Sequence, residues 1–144
     1  AAALRLCFAV IVMDDRSEFS NNERFPEAQR IVVLESFATC FQNVPLDENS
    51  YVVVVTRGHL HDKTVLGQVL RSPAAYLGMI GSTRKRDAIY DALEKEGFAR
   101  SEFERVHCPI GLAIGAETPE EIAVSIVAEL IRHRALRRGN SKGV

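Results

Sequence analysis

Short apolar runs alternate with amphipathic stretches along most of the chain. Phe8-Ala9-Val10-Ile11-Val12-Met13 is rich in β-formers and stops at Asp14-Asp15, and Ile31-Val32-Val33-Leu34 is a second run. Tyr51 to Val55 holds four consecutive valines, and Tyr76-Leu77-Gly78-Met79-Ile80 is a fourth strand candidate. Runs that are apolar at every position imply strands buried on both faces, as in a parallel sheet. Between them, a helix is predicted from about Asp62 to Leu70, with Val65, Leu66, Val69 and Leu70 on one side. A second is predicted over Thr83 to Glu96, where Ile89 and Leu93 stand four apart and Gly97 closes the helix. Ser101 and Glu104 fit a reciprocal cap for a short helix after it. The last helix has the clearest start: Thr118 as cap, Pro119 in the first position, and Glu121 reaching back. Its apolar stripe is Ile122, Ile126 and Leu130 with Ala123 and Val127.

This order predicts a three-layer, doubly wound parallel α/β domain of Rossmann-like type. The domain is expected over 1–134, and the charged, glycine-containing tail over 135–144 is expected to be disordered. One part of the pattern is missing. A carboxylate is due at the end of the second strand, and Asp14 or Asp15 supplies it. The strand and glycine-rich turn that should precede it by about 20 residues are not found. Ala1 to Leu6 read only as the end of the first helix. Since the first strand is central in the order 3-2-1-4-5, its two neighbours lose their ladder partners. The chain therefore reads as a fragment or an N-terminally incomplete record, unless a neighbouring chain supplies the strand.

Composition narrows the function classes. A net charge of -1 gives no general attraction to nucleic acid or membrane. No apolar run approaches the roughly 20 residues that span a bilayer, and the opening lacks a signal-peptide pattern. Cys7, Cys40 and Cys108 form no C-x-x-C pair, so reduced thiols in a cytoplasmic protein are expected.

Ligands of open α/β sheets bind beyond the carboxyl ends of the strands, where four segments of this chain should converge. In Asp14-Asp15-Arg16 a carboxylate suits ribose hydroxyls and Arg16 suits a phosphate. In Thr56-Arg57-Gly58-His59-Leu60-His61-Asp62, Gly58 permits a tight turn and the imidazoles suit an anion. A metal set is not completed there, and Asp62 reads equally well as a helix cap. In Gly78-Met79-Ile80-Gly81-Ser82-Thr83-Arg84-Lys85-Arg86, the glycines let backbone approach a ligand and Ser82 caps a helix whose first amides favour an anion. Arg84, Lys85 and Arg86 cannot all face one ligand, being successive on a helix. The fourth segment, His107 to Thr118, adds Gly111 and Gly115 beside another helix start. Cys108 within it reads as a packing group rather than a nucleophile. No catalytic set and no complete metal set emerge, so the residues favour binding over catalysis.

Together these segments resemble the XdhC/CoxI family of molybdenum-hydroxylase maturation factors. The matching stretches are Asp14-Asp15-Arg16-Ser17-Glu18-Phe19 to Arg24-Phe25-Pro26, Thr56 to Asp62, Gly78 to Ser82 with Lys85, Pro109 to Ala116, and Thr118 to Ile126. The resemblance covers roughly Phe8 to Arg132 and implies the family's C-terminal Rossmann-like domain. It implies binding of the molybdenum cofactor, as molybdopterin or its dinucleotide form, and delivery to xanthine dehydrogenase or a related hydroxylase. It further implies a homodimer or larger oligomer, with a sulfurtransferase as another partner. The expected cofactor-binding residues are Asp14, Asp15, Arg16, Arg57, Gly58, His59, Gly78, Ile80, Gly81, Ser82, Lys85, Gly111 and Gly115. Two rival readings use the same fold: an NAD(P)-dependent oxidoreductase, and a nucleotide-sensing or scaffold domain that docks on a hydroxylase. The family's N-terminal domain and the first strand are not seen in this sequence.

Overall fold

A computed structural model describes residues 8–140. The expectations for Ala1 to Leu6, for Cys7 and for residues 141–144 fall outside that range. The apolar runs form parallel strands, each trimmed or shifted by a residue or more from its run. Strand β1, Ile11–Asp14, pairs in parallel with β2, Arg30–Val33, placing Ile11 opposite Arg30 and Asp14 opposite Val33. Strand β3, Tyr51–Val54, pairs with β4, Tyr76–Met79, and β4 pairs with the short β5, Val106–His107. Tyr51 faces Tyr76, and Leu77 faces Val106. The β5 strand escaped sequence reading because two residues carry no periodicity. No ladder joins β1 to β3, so the sheet is divided where the central strand was expected to lie.

Two-sided burial holds only for β4, which is buried at all four positions. In β3, Val52 and Val54 are buried while Val53 is 36% exposed, and β1 is only partly covered. The expectation of buried strands throughout is thus corrected, because β1 and β3 border the division.

Helix α1, His59–Val69, buries Val65, Leu66 and Val69 against β3 and β4. Helix α2, Thr83–Lys95, adds Ile89, Tyr90 and Leu93, with Tyr90 stacked on Phe103 at 4.3 Å. Each such side chain contributes about 1.5–3 kcal/mol by leaving water. Helix α3, Pro119–Asn140, covers the other face through Leu130 and Ile126, packed near Tyr76 and Ile110. Tyr76 donates its hydroxyl proton to Glu129 of α3, and His133 lies 3.3 Å from the Tyr51 hydroxyl. These contacts clamp α3 to the leading ends of β3 and β4. The layers are therefore helix, sheet and helix, as expected. Among the described residues, no helix is long and apolar enough to cross a membrane.

The helix ends follow local chemistry. The Lys85 amide donates to the Ser82 hydroxyl, and Gly97 takes φ 95° after α2. Glu121 donates its amide to Thr118 Oγ1, while its carboxylate accepts from the Thr118 and Glu117 amides. Helix α3 does not end near Arg134, where the tail was expected to start, but continues to Asn140. Arg134 lies over the Phe8 ring at 4.7 Å, and Ala135, Leu136, Arg137 and Arg138 are good helix formers.

The short 3-10 helix Arg100–Arg105 is not capped by Ser101 and Glu104. Glu102 instead accepts the Ala99 amide at 2.8 Å and is forked by the Arg71 guanidinium at 2.6 and 2.9 Å. Arg71, followed by the Ala99 amide, pulls the Glu102 carboxyl from 4.5 down to about 2. A depressed carboxyl contributes stability that is complete above its unfolded value and is lost as pH falls through the folded one. That window runs from 4.5 down to about 2. In Arg71→Gln, NMR titration should find Glu102 titrating nearer 4.5, with a flatter stability profile across that window. An unchanged Glu102 titration would show that Arg71 is not the cause.

Candidate functional site at the strand ends

The loops leaving β1, β3, β4 and β5 meet through a chain of polar contacts. After β1, Arg16 donates to both oxygens of Asp14, from Nε at 2.9 Å and Nη2 at 3.1 Å. This pairing holds the Asp14 carboxyl below its usual range. The Arg16 guanidinium also lies 3.9 Å over Phe19, whose ring meets Arg24 at 4.8 Å. Arg16, expected to fork a phosphate, is thus already forked onto Asp14.

Asp15 differs from its neighbour. Its Oδ2 accepts from Arg57 Nη2 at 2.8 Å, joining the β1 and β3 loops. Its Oδ1 is buried and accepts no hydrogen bond among the described residues; the nearest cation, Arg16 Nε, is 3.8 Å away. A buried acceptor left without a donor is costly, and it is an oxygen to which a ligand donor can add.

Beyond β3, the His59, His61 and Asp62 trio disperses. His59 opens α1 on the outside, and His61 packs on the Phe37 ring at 4.7 Å. Asp62, fully buried, turns back into the fold. Its Oδ1 accepts the Thr56 hydroxyl at 2.6 Å and the Thr56 amide at 3.2 Å, while Oδ2 pairs with Lys85 Nζ. Gly58 caps α1 with φ -179°, an extended conformation open to any residue, so no glycine-specific turn exists there.

Beyond β4, Lys85 points inward rather than toward solvent. Its ammonium pairs with Asp62 and donates to the Ile80 carbonyl at 3.2 Å. Gly81 has φ 149°, and a Cβ there would stand 2.7 Å from Lys85 Cδ. The glycine therefore lets Lys85 fold back beneath the loop. The three successive cations separate as expected: Arg84 is exposed, Lys85 is internal, and Arg86 bonds Asp87 and the Cys108 carbonyl. With Ser82 occupied by the Lys85 amide, the earlier amides of α2 are left for an anion.

Two expected ligand glycines are packing positions. A Cβ at Gly78 would meet Ile110 Cδ1 at 2.4 Å and the Tyr76 ring at 2.7 Å, and one at Gly111 would meet Ser125 Oγ at 2.4 Å. Gly115, at φ 73°, lies in an exposed loop with open space around it. Cys108 approaches the Gly81 carbonyl at 4.0 Å, and burial pushes its thiol up, with Arg86 and Lys85 opposing. It is a packing thiol, as expected. Sequence reading missed the Asp62–Lys85 pair: the cap reading explained Asp62 locally, and no spacing rule links residues on two helices.

Parallel strands sandwiched by helices, with a carboxylate ending β1 and a capped helix after β4, define a Rossmann-type domain whose strand-end loops carry mixed charge. The chain belongs to the XdhC Rossmann-domain family, whose model matches residues 1–130. It is 33% identical over 131 residues to the uncharacterized protein YqeB of Escherichia coli K12, covering 91% of this chain and 24% of that one. It is 35% identical over 129 residues to a probable xanthine dehydrogenase subunit of Bacillus subtilis 168, covering 88% and 36%. Among solved structures, a crystal structure titled as a xanthine dehydrogenase from Bacillus halodurans aligns with TM-score 0.80 and 28% identity. That alignment covers 94% of this chain and 38% of the other. The chain thus spans well under half the length of each of these relatives.

Proposed function

We propose that this domain is the cofactor-holding, nucleotide-fold part of an accessory factor that serves a xanthine dehydrogenase-type molybdenum hydroxylase. Family membership and the Bacillus subtilis relative, named for xanthine dehydrogenase, support the hydroxylase connection. The observation that carries the binding reading is the buried Oδ1 of Asp15, which has no hydrogen-bond donor among the described residues and sits beside the Arg57 link between the β1 and β3 loops. A pterin amine or a ribose hydroxyl is a donor of the required kind. The opening amides of α2 suit the phosphate of the same molecule, and Arg57 flanks Asp15.

The donor set therefore fits a molybdopterin, in simple or dinucleotide form. Asp15, Arg57, Gly81, Ser82 and the first turn of α2 would hold it, and the group itself would supply the metal–dithiolene chemistry that the target enzyme uses. Lys85 acts differently from a direct phosphate ligand, since it sets the loop from beneath. A homodimer and an exchange with a sulfurtransferase belong to the same reading.

A carboxylate ending β1 is also where a dinucleotide fold receives a ribose, so NAD(P) is the second reading. Calorimetric titration with molybdenum cofactor, NAD(P) and mononucleotides separates them. Asp15→Asn should weaken cofactor binding by roughly ten- to a hundredfold, the scale of one hydrogen bond to a charged acceptor at about 1.5–3 kcal/mol. Equal affinity in the variant, or tighter binding of NAD(P) than of pterin, would displace the proposal.

A further inference from the structure

Helix α3 is apolar on two sides. Its inner side carries Ser125, Ile126, Leu130 and His133, turned toward Tyr51, Tyr76 and Ile110. Its outer side carries a second stripe: Val124, Ala128, Ile131 and Ala135 recur at steps of four, three and four, the spacing of a helix–helix seam. At 3.6 residues per turn that seam lies opposite the inner side. Val124 is 60% exposed and Ile131 36%, and Ala135 is exposed as well. Scattered surface leucines or valines need no explanation, but a stripe with this period does.

The order of residues along the stripe is self-complementary. Large and small side chains alternate as Val, Ala, Ile and Ala. When two such helices cross antiparallel, centred between Ala128 and Ile131, Val124 faces Ala135 and Ile131 faces Ala128. Each large side chain then meets a small one, whereas a parallel pairing in register sets large against large and small against small. The charges follow the same rule. The first turn is acidic, with Glu120 and Glu121, and the last is basic, with Arg137 and Arg138. Glu120 and Arg138 lie on one flank of the stripe, about 27 Å apart along the axis, too far to meet within one helix. A two-fold axis perpendicular to the helices brings that flank against itself, so Glu120 of each copy meets Arg138 of the other.

We propose that the outer face of α3 is a self-association surface, on which a second copy of this chain packs its own α3 antiparallel about a two-fold axis. The interface is isologous, and the Glu120–Arg138 contact occurs in it twice. This goes beyond the functional reading, in which a homodimer has no assigned surface. One helix pair buries less than the about 1,200 Å² at which standard interfaces begin, so the dimer is weak and depends on concentration.

Sedimentation equilibrium of the 144-residue chain, from micromolar to millimolar protein, should show a reversible monomer–dimer equilibrium. Val124→Glu, at a solvent-facing position, should keep the far-UV spectrum and the thermal midpoint and leave monomer alone. Glu120→Arg and Arg138→Glu should each weaken association roughly tenfold, because two symmetric contacts turn from attraction to repulsion. An equimolar mixture of these two variants should recover the wild-type affinity. In the mixed dimer one contact is native and the other has both charges reversed. A chain that stays monomeric throughout would overturn the proposal and leave the stripe to a different partner. A dimer that survives Val124→Glu would place self-association on another surface. A mixture no tighter than its components would exclude the antiparallel arrangement. Association is read without ligand, so its outcome is independent of the cofactor titration.

Discussion

Lys85→Met should destabilise the domain by about 3–5 kcal/mol, the usual cost of stripping one partner from a buried ion pair. Asp62 is fully buried and Lys85 is 15% exposed, so the remaining carboxylate would have little access to water. The pair also ties the start of α1 to the start of α2, and Thr56 completes the shell around Asp62. Adding Asp62→Asn to Lys85→Met should recover much of the loss, because the charge left unpaired is then removed while an acceptor remains for Thr56. Urea denaturation of the two single variants and the double variant reads this as a coupling free energy. Additive losses, or a single-variant cost within about 0.5 kcal/mol, would mean that the pair carries no such burden.

The second large effect is expected at Gly111. Alanine there meets two penalties: a backbone at φ 101° and a Cβ that would stand 2.4 Å from Ser125 Oγ and 3.2 Å from the Ile126 nitrogen. A left-handed conformation costs an L-residue about 1–2 kcal/mol, and overpacking typically adds about 1–3 kcal/mol. Gly111→Ala should therefore lower stability by about 2–5 kcal/mol in the same denaturant measurement. Gly115→Ala provides the comparison, since φ 73° leaves the conformational cost but open space removes the clash. Gly58→Ala, extended and uncrowded, should change little. If all three alanine variants behave alike, close packing of the Pro109–Ile110–Gly111 turn on α3 is not what holds Gly111 in place.

These glycines show how far the chain could be read in one dimension. Gly78, Gly81, Gly111 and Gly115 look alike in sequence, each in a loop or strand end near an expected ligand. In three dimensions Gly78 and Gly111 make room for Ile110 and Ser125, Gly81 makes room for Lys85, and Gly115 makes room for nothing nearby. The absence of a side chain is a demand for space, and at Gly78 and Gly111 what takes the space comes from a distant segment. Arg16 shows a different limit: its charge was legible as anion-seeking, and the anion it found is Asp14, only two residues away.

What the sequence determined by itself is the order of β1 to β4 and the three α-helices, the helix starts at Ser82 and Thr118, the apolar faces of α1 and α2, and the carboxylates that end β1. These are local properties, set by periodicity, capping chemistry and the reach of a side chain over three or four residues. The tertiary structure alone decided that Lys85 turns toward Asp62, that Asp15 Oδ1 meets no donor among the described residues, and that Gly111 packs on Ser125. Each of these depends on which remote group occupies the neighbouring space, a question that no run of consecutive residues can answer.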